Sequence, residues 1–152
     1  MFIEVKPVID YGVRGLCRKP YYNHPKGCPN FKKKDYCPPF APLFDKYFDM
    51  SQPIYVIYNI FNFKEHVNKM RDKHPNWSEH QVKCLLYWQG TARKQLKIHI
   101  KEFLKKHENY IITTCPEAMG VNLTETMKSV GIELEWPPIN FTYQIAIAGI
   151  RR

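Results

Sequence analysis

Three cysteines, Cys17, Cys28 and Cys37, crowd the run CRKPYYNHPKGCPNFKKKDYCPPFAPLF at residues 17–44, and Cys84 and Cys115 lie further along. Thiolate sulfur suits iron–sulfur clusters and Zn(II). The spacing C-x10-C-x8-C lacks the close C-x2-4-C pairs with which zinc ribbons and fingers set a tetrahedral edge. A cluster is larger and accepts widely spaced ligands from loops. Cys28, Cys37 and Cys115 are each followed by proline, a pairing found after ligating cysteines in bacterial ferredoxins. The run also holds Pro20, Pro25, Pro29, Pro38, Pro39 and Pro42. Proline removes backbone donors and fixes φ, so the run reads as neither helix nor central strand. With few aliphatic residues of its own, it is expected to be held by thiolate–metal bonds.

The other cysteines read differently. Cys84 stands beside Leu85 and Leu86 in a helical pattern, where a free cysteine behaves as a small buried hydrophobe. Cys115 sits at the end of a strand pattern, as a ligand or as a core cysteine. His24 is a further ligand candidate in the loop. His66, His74, His80, His99 and His107 fall on helical patterns, mostly with lysine neighbours, and read as surface residues. Arg14, Arg18, Gln89 and Arg93 are candidates for binding an anionic substrate beside a metal centre. Glu117, two residues after Cys115, is a candidate acid or base there, or a charge at the start of the following helix.

The chain has 152 residues, 44% of them apolar and 14% aromatic, and a net charge of +9. That fits a single globular domain. The charge favours anionic partners: a small anionic molecule, a nucleotide or a nucleic acid. No apolar run is long enough for a bilayer span, and the amino-terminal residues carry an early acid where a secretory leader would be basic and apolar. A cytoplasmic protein without membrane contact is expected, in which an odd set of five cysteines points away from a disulfide framework. The run Lys32–Lys34 with Tyr21, Tyr22, Phe31 and Tyr36 could serve single-stranded nucleic acid. No helix-turn-helix, zinc-finger or RNP signature accompanies it. Glycine-rich phosphate loops, G-x-S-x-G and paired carboxylate motifs are likewise missing from the sequence.

The elements that must position these groups follow from periodicity. Phe2–Val8 alternates as a first strand, and a loop carries Cys17. Residues 54–61, IYVIYNIF, read as a strand buried on both faces, as in a covered α/β sheet. Asn62 with Glu65 caps a helix carrying Phe63, Val67 and Met70, ended by Pro75. Ser78 with Gln81 forms a capping box opening a long helix over residues 79–107, whose core face includes Val82, Leu85, Leu86, Ala92, Leu96, Ile100, Phe103 and Leu104. Gly90 marks a break or a close backbone approach within it. A strand over residues 110–114 delivers Cys115. Asn122 with Glu125 caps a helix over residues 123–130 that Gly131 ends, and residues 141–150 form a last strand. Strands alternating with helices predict an α/β fold: a single domain over residues 1–152, with a cysteine-rich loop at 17–49 and an α/β core at 53–150 built on a small central sheet flanked by helices.

GCPNFKKKDYCPPFAP resembles a motif of a family of small prokaryotic predicted metal-binding proteins of unknown function, which carry a cysteine, then C-x-N-[YF], then CPP before an aromatic. CLLYWQGTARKQL is similar to that family's long helix. CPEAMGVNLTETMKSVGI is similar to its ending, E-A-x-G-[IV]-[DN]-[VL] before a helix and G-[IFV]. Two departures stand out: the gap from Cys17 to Cys28 is longer than usual, and only Cys115 precedes the E-A-x-G motif, where family members carry several cysteines. The resemblance therefore implies one metal site, with Cys115 as fourth ligand beside Cys17, Cys28 and Cys37. The resulting expectation is a [4Fe–4S] protein, engaged in redox or sulfur chemistry on an anionic or nucleotide-like substrate and serving an electron-transfer partner. The alternative is a zinc-stabilised nucleic-acid-binding module without catalysis.

Overall fold

The molecule is organised on β2 (Ile54–Asn62), whose β-branched and aromatic residues leave both faces apolar. In the computed structural model, which describes residues 1–20 and 25–152, Ile54 and Val56 enter one core cluster and Ile57 another. The strand is buried on both faces, as its composition predicts, until Ile60, which is 39% exposed. β1 (Phe2–Val5) flanks it on one side and β4 (Phe141–Gly149) on the other, with β3 (Ile111–Thr113) beyond β4. The sheet order is β1-β2-β4-β3 and every pairing is antiparallel. The chain is thus mixed α/β, as expected, and its sheet is antiparallel throughout. β2 and β3 each run antiparallel to β4, so they are parallel to one another across it. The alternation reports the connection from β2 to β3 and is silent about the strand that inserts between them.

Helices cover the sheet. On one face, α4 (Gln89–Lys106) sets Leu96 and Phe103 against Ile57, Ala146 and Ala148. The other face packs Val56 and Ile147 against α1 (Phe44–Tyr47), α5 (Leu123–Lys128) and residues 119–121. Ala41, Phe44 and Phe48, from the cysteine-rich segment, are all buried there. That segment therefore has apolar anchors in the main core, contrary to the expectation that metal bonds alone must hold it. Among the described residues, no helix is long and apolar enough to cross a membrane.

The caps read from sequence are in place. Asn62 Oδ1 accepts from the Glu65 N–H at 3.1 Å and starts α2 (Phe63–Lys73). Ser78 and Gln81 close a reciprocal capping box at 3.2 and 2.8 Å and start α3 (Glu79–Val82). Asn122 caps α5, and Gly131, at φ 82°, follows its end.

The long helix over 79–107 does not form as one piece. α3 stops at Val82, a 3-10 turn spans Leu85–Tyr87, and α4 begins at Gln89. Leu85 and Leu86, expected in the core, are 53% and 86% exposed. The break turns Trp88 inward instead: its Nε1 donates to the Lys83 carbonyl at 3.3 Å and its ring joins Phe63, Val67, Val82 and Ala92. Gly90 follows the break and has open space where a Cβ would lie, so it makes no close approach. Cys84 precedes the 3-10 turn and is half-buried, neither helical nor enclosed. Three histidines also depart from the surface reading. His66 Nε2 is buried, His107 stacks on Phe103 with centroids 4.1 Å apart, and His74 stacks on Trp77 at 3.7 Å.

Candidate metal centre

Cys17 is carried not by a loop but by a 3-10 helix, Tyr11–Arg18. Asp10 caps it, Oδ1 accepting from the Gly12 N–H at 2.9 Å. The same segment is stitched to the chain just after Cys115: the Asp10 N–H donates to the Gly120 carbonyl at 2.8 Å, the Asn122 N–H to the Val8 carbonyl at 2.8 Å, and Ile9 bridges Val121. These bonds bring together residues about a hundred positions apart in sequence.

Two backbone contacts place the next cysteines. The Cys28 N–H donates to the Cys17 carbonyl at 2.7 Å. Gly27 makes that possible. At φ 84°, a Cβ there would lie 2.5 Å from the Cys17 oxygen, closer than any side chain allows. The Cys37 N–H bonds to the Lys34 carbonyl at 2.9 Å, and the Cys37 carbonyl accepts from the Ala41 N–H at 2.9 Å. Ala41 then leads into the core.

Arg14 closes the arrangement. Its Nε donates to the Ala118 carbonyl at 2.8 Å, and one terminal nitrogen donates to the Pro39 and Ala41 carbonyls at 3.1 and 3.0 Å. A residue expected among the substrate-binding groups is a clamp here, tying the turn after Cys37 to the turn after Cys115. Arg18 lies over the Phe31 ring, 5.8 Å from its centroid. Gln89 is the half-buried first residue of α4.

The thiols share one electrostatic neighbourhood. Burial pushes the Cys17 thiol up, and Cys28, Cys37, Glu117 and Cys115 each add to the rise. Burial also pushes the Cys115 thiol up; the Thr114 hydroxyl and the Arg93 guanidinium pull against it, while Cys37 and Glu117 raise it further. Glu117 is open by surface area, yet protein packed round its carboxyl pushes it above the usual carboxylate range. Cys17, Cys28, Cys37, Cys115, Glu117 and Arg93 are thereby brought together. A tetrahedral zinc site, with Zn–S near 2.3 Å, needs sulfurs about 3.8 Å apart. Among the described residues no group of three or more His, Cys, Asp and Glu side chains is set to hold a metal ion.

Basic charge surrounds them: residues 17–46 hold seven lysines and arginines against Asp35 and Asp45. Lys32 lies 5.7 Å from the Phe31 ring centre and Lys34 5.5 Å from that of Tyr36. His24, Tyr21 and Tyr22 lie outside the described residues. The groups sequence reading missed are Gly27 and Gly120. A glycine directly before a cysteine, and one inside E-A-x-G, are the signals that could have found them.

No family model, curated protein or solved structure matches this chain.

Proposed function

We propose that the chain binds a [4Fe–4S] cluster through Cys17, Cys28, Cys37 and Cys115, and serves redox or sulfur-transfer chemistry on an anionic or nucleotide-like substrate. One observation carries the reading: Cys28, Cys37 and Cys115, from separate segments of the chain, all lie close enough to Cys17 to raise its thiol, and Cys37 does the same to Cys115. Thiolates are the ligands such a cluster takes, and the surrounding lysines and arginines offset the negative charge of a thiolate-bound cluster. With four cysteines the cluster is closed and suits electron transfer to a partner. With Cys115 free, one iron is open and can polarise a substrate oxygen or accept a sulfur. Arg93 and Glu117, beside Cys115, then supply a cation for an anionic substrate and a carboxyl able to hold a proton.

Anaerobic purification tests this. The expected product is brown, with iron and sulfide in cluster stoichiometry. Cys17→Ser, Cys28→Ser and Cys37→Ser each lose it, and Cys84→Ser keeps it. Cys115→Ser separates carrier from catalyst: a retained but altered cluster assigns three cysteines, and a lost one assigns four. A colourless protein with zinc alone would sink the proposal.

The basic run favours a second reading, a zinc-stabilised nucleic-acid-binding module. Lys32 and Lys34 lie against Phe31 and Tyr36, so cations and rings share one surface, as in single-strand binding. Oligonucleotide affinity that falls steeply with salt, in a protein containing zinc and no iron, supports it.

A further inference from the structure

A cavity of about 330 Å³ opens between the end of β2, α2 and the start of α4, within the size range of small-ligand sites. Thr91 and Gln95 of α4 line it, and each is two residues from Arg93, about 160–200° round the helix. It is therefore separate from the cysteines, and nothing about it depends on what they hold.

Asn59, buried in the sheet, fixes how its polar groups face. Asn59 Nδ2 lies 3.4 Å from the Ala92 carbonyl, 3.0 Å from Gln95 Oε1 and 2.9 Å from Gln144 Oε1. A backbone carbonyl only accepts, so the Asn59 atom facing it is the nitrogen, and the Gln95 atom facing that nitrogen is the oxygen. Gln95 Nε2 is left toward the cavity. Asn62 follows the same logic: its Oδ1 accepts from the Glu65 N–H, which only donates, so its Nδ2 is the spare end. Lys69 lies on the rim and is bonded to Glu65 at 3.0 Å, which uses one of its three donors. His66 Nε2 is buried without a partner. The carboxylate of Glu65, the acidic group in the lining, is committed to Lys69. Phe61 and Trp88 form one wall, stacked with centroids 5.3 Å apart at 18°.

The cavity is thus rich in donors and walled by flat rings. We propose that it binds a planar, oxygen-rich anion: an aromatic or heteroaromatic ring bearing a carboxylate, its face against the Phe61 side of the Phe61–Trp88 pair and its oxygens toward Gln95, Asn62 and Lys69. The binding is of a small molecule, at a site distinct from the cysteine cluster.

Orotate is a suitable probe, titrated into the full ¹⁵N-labelled chain. The Gln95 side-chain amide and the Trp88 indole N–H signals should move together. Gln95→Glu, which keeps the acceptor for Asn59 but turns an acceptor toward the ligand, and Lys69→Met should each weaken binding at least about tenfold. Lys105→Met, at the far end of α4, should bind orotate as the parent does. Cyclohexanecarboxylate, with the same charge and no flat face, should bind more weakly than orotate. The proposal is overturned if orotate moves neither signal, if both ligands bind alike, or if Gln95→Glu and Lys69→Met fold and bind orotate undiminished. Should either variant fail to fold, Thr91→Val, exposed near the start of α4, replaces it with the same expected direction.

Discussion

Gly27 is the residue on which the cysteine segment turns. Its φ of 84° and the 2.5 Å separation a Cβ would have from the Cys17 oxygen leave no room for alanine. Gly27→Ala should cost about 2 kcal/mol or more, read as a lower urea midpoint, and should part Cys28 from Cys17. Arg14→Lys keeps the charge but not the planar fork. It should lose about 2 kcal/mol by leaving the Ala118, Pro39 and Ala41 carbonyls without their common donor. His66 offers a pH test. Burial first, and then the Lys69 charge, lowers its folded pKa below the usual histidine value. The unfolded chain therefore binds the proton more readily, so the contribution of His66 is fully present above the unfolded pKa and is lost as pH falls through it. The wild-type urea midpoint should decline between about pH 7.5 and 5 by more than that of His66→Phe, since the unperturbed pKa is about 6.5. Equal declines would remove His66 from the account.

At the scale of elements, the break between α3 and α4 separates two kinds of leucine-like position. Val82 is fully buried, and Val82→Ala should cost about 2 kcal/mol. Leu86 is 86% exposed, and Leu86→Glu should change stability by no more than about 0.5 kcal/mol. A continuous helix would reverse the expectation for Leu86. Caps and strands were legible because their causes are local: Asn62, Ser78, Asn122 and Gly131 act on backbone within four residues, and the composition of residues 54–61 states its own burial. The break was not legible, because Leu85 and Leu86 keep helical spacing. What decides against them is the Phe61 ring, a distant partner onto which Trp88 stacks. Strand order was hidden for the same reason, since β4 inserts between β2 and β3 by a contact that no local pattern encodes. The cysteines could be named from sequence, whereas the Arg14 clamp depends on carbonyls 25 to 104 residues away.

For the molecule as a whole, the cysteine segment belongs to the main core. Ala41, Phe44 and Phe48 pack with Val5, Val56 and Ile147, so folding of the sheet does not wait for metal. Preparing the chain without the proposed cluster should leave the far-ultraviolet circular dichroism spectrum and the cooperative thermal transition in place, with a lowered Tm. Collapse of the whole spectrum, as in domains that fold only around zinc, would contradict this.

The stitching of residues 8–14 to residues 118–122 also has a consequence in time. A ribosome adding about 5–20 residues per second makes Cys37 roughly 4–16 s before Cys115, and the strand partners of Ile9 and Asp10 come later still. Throughout that interval three of the cysteines have been made and the fourth has not. They have neither the burial nor the Arg14 clamp that gathers them in the finished chain. The nascent chain thus passes through a window in which three of its cysteines lack the contacts that later gather them. The order of synthesis sets the length of that window, whatever the final stability.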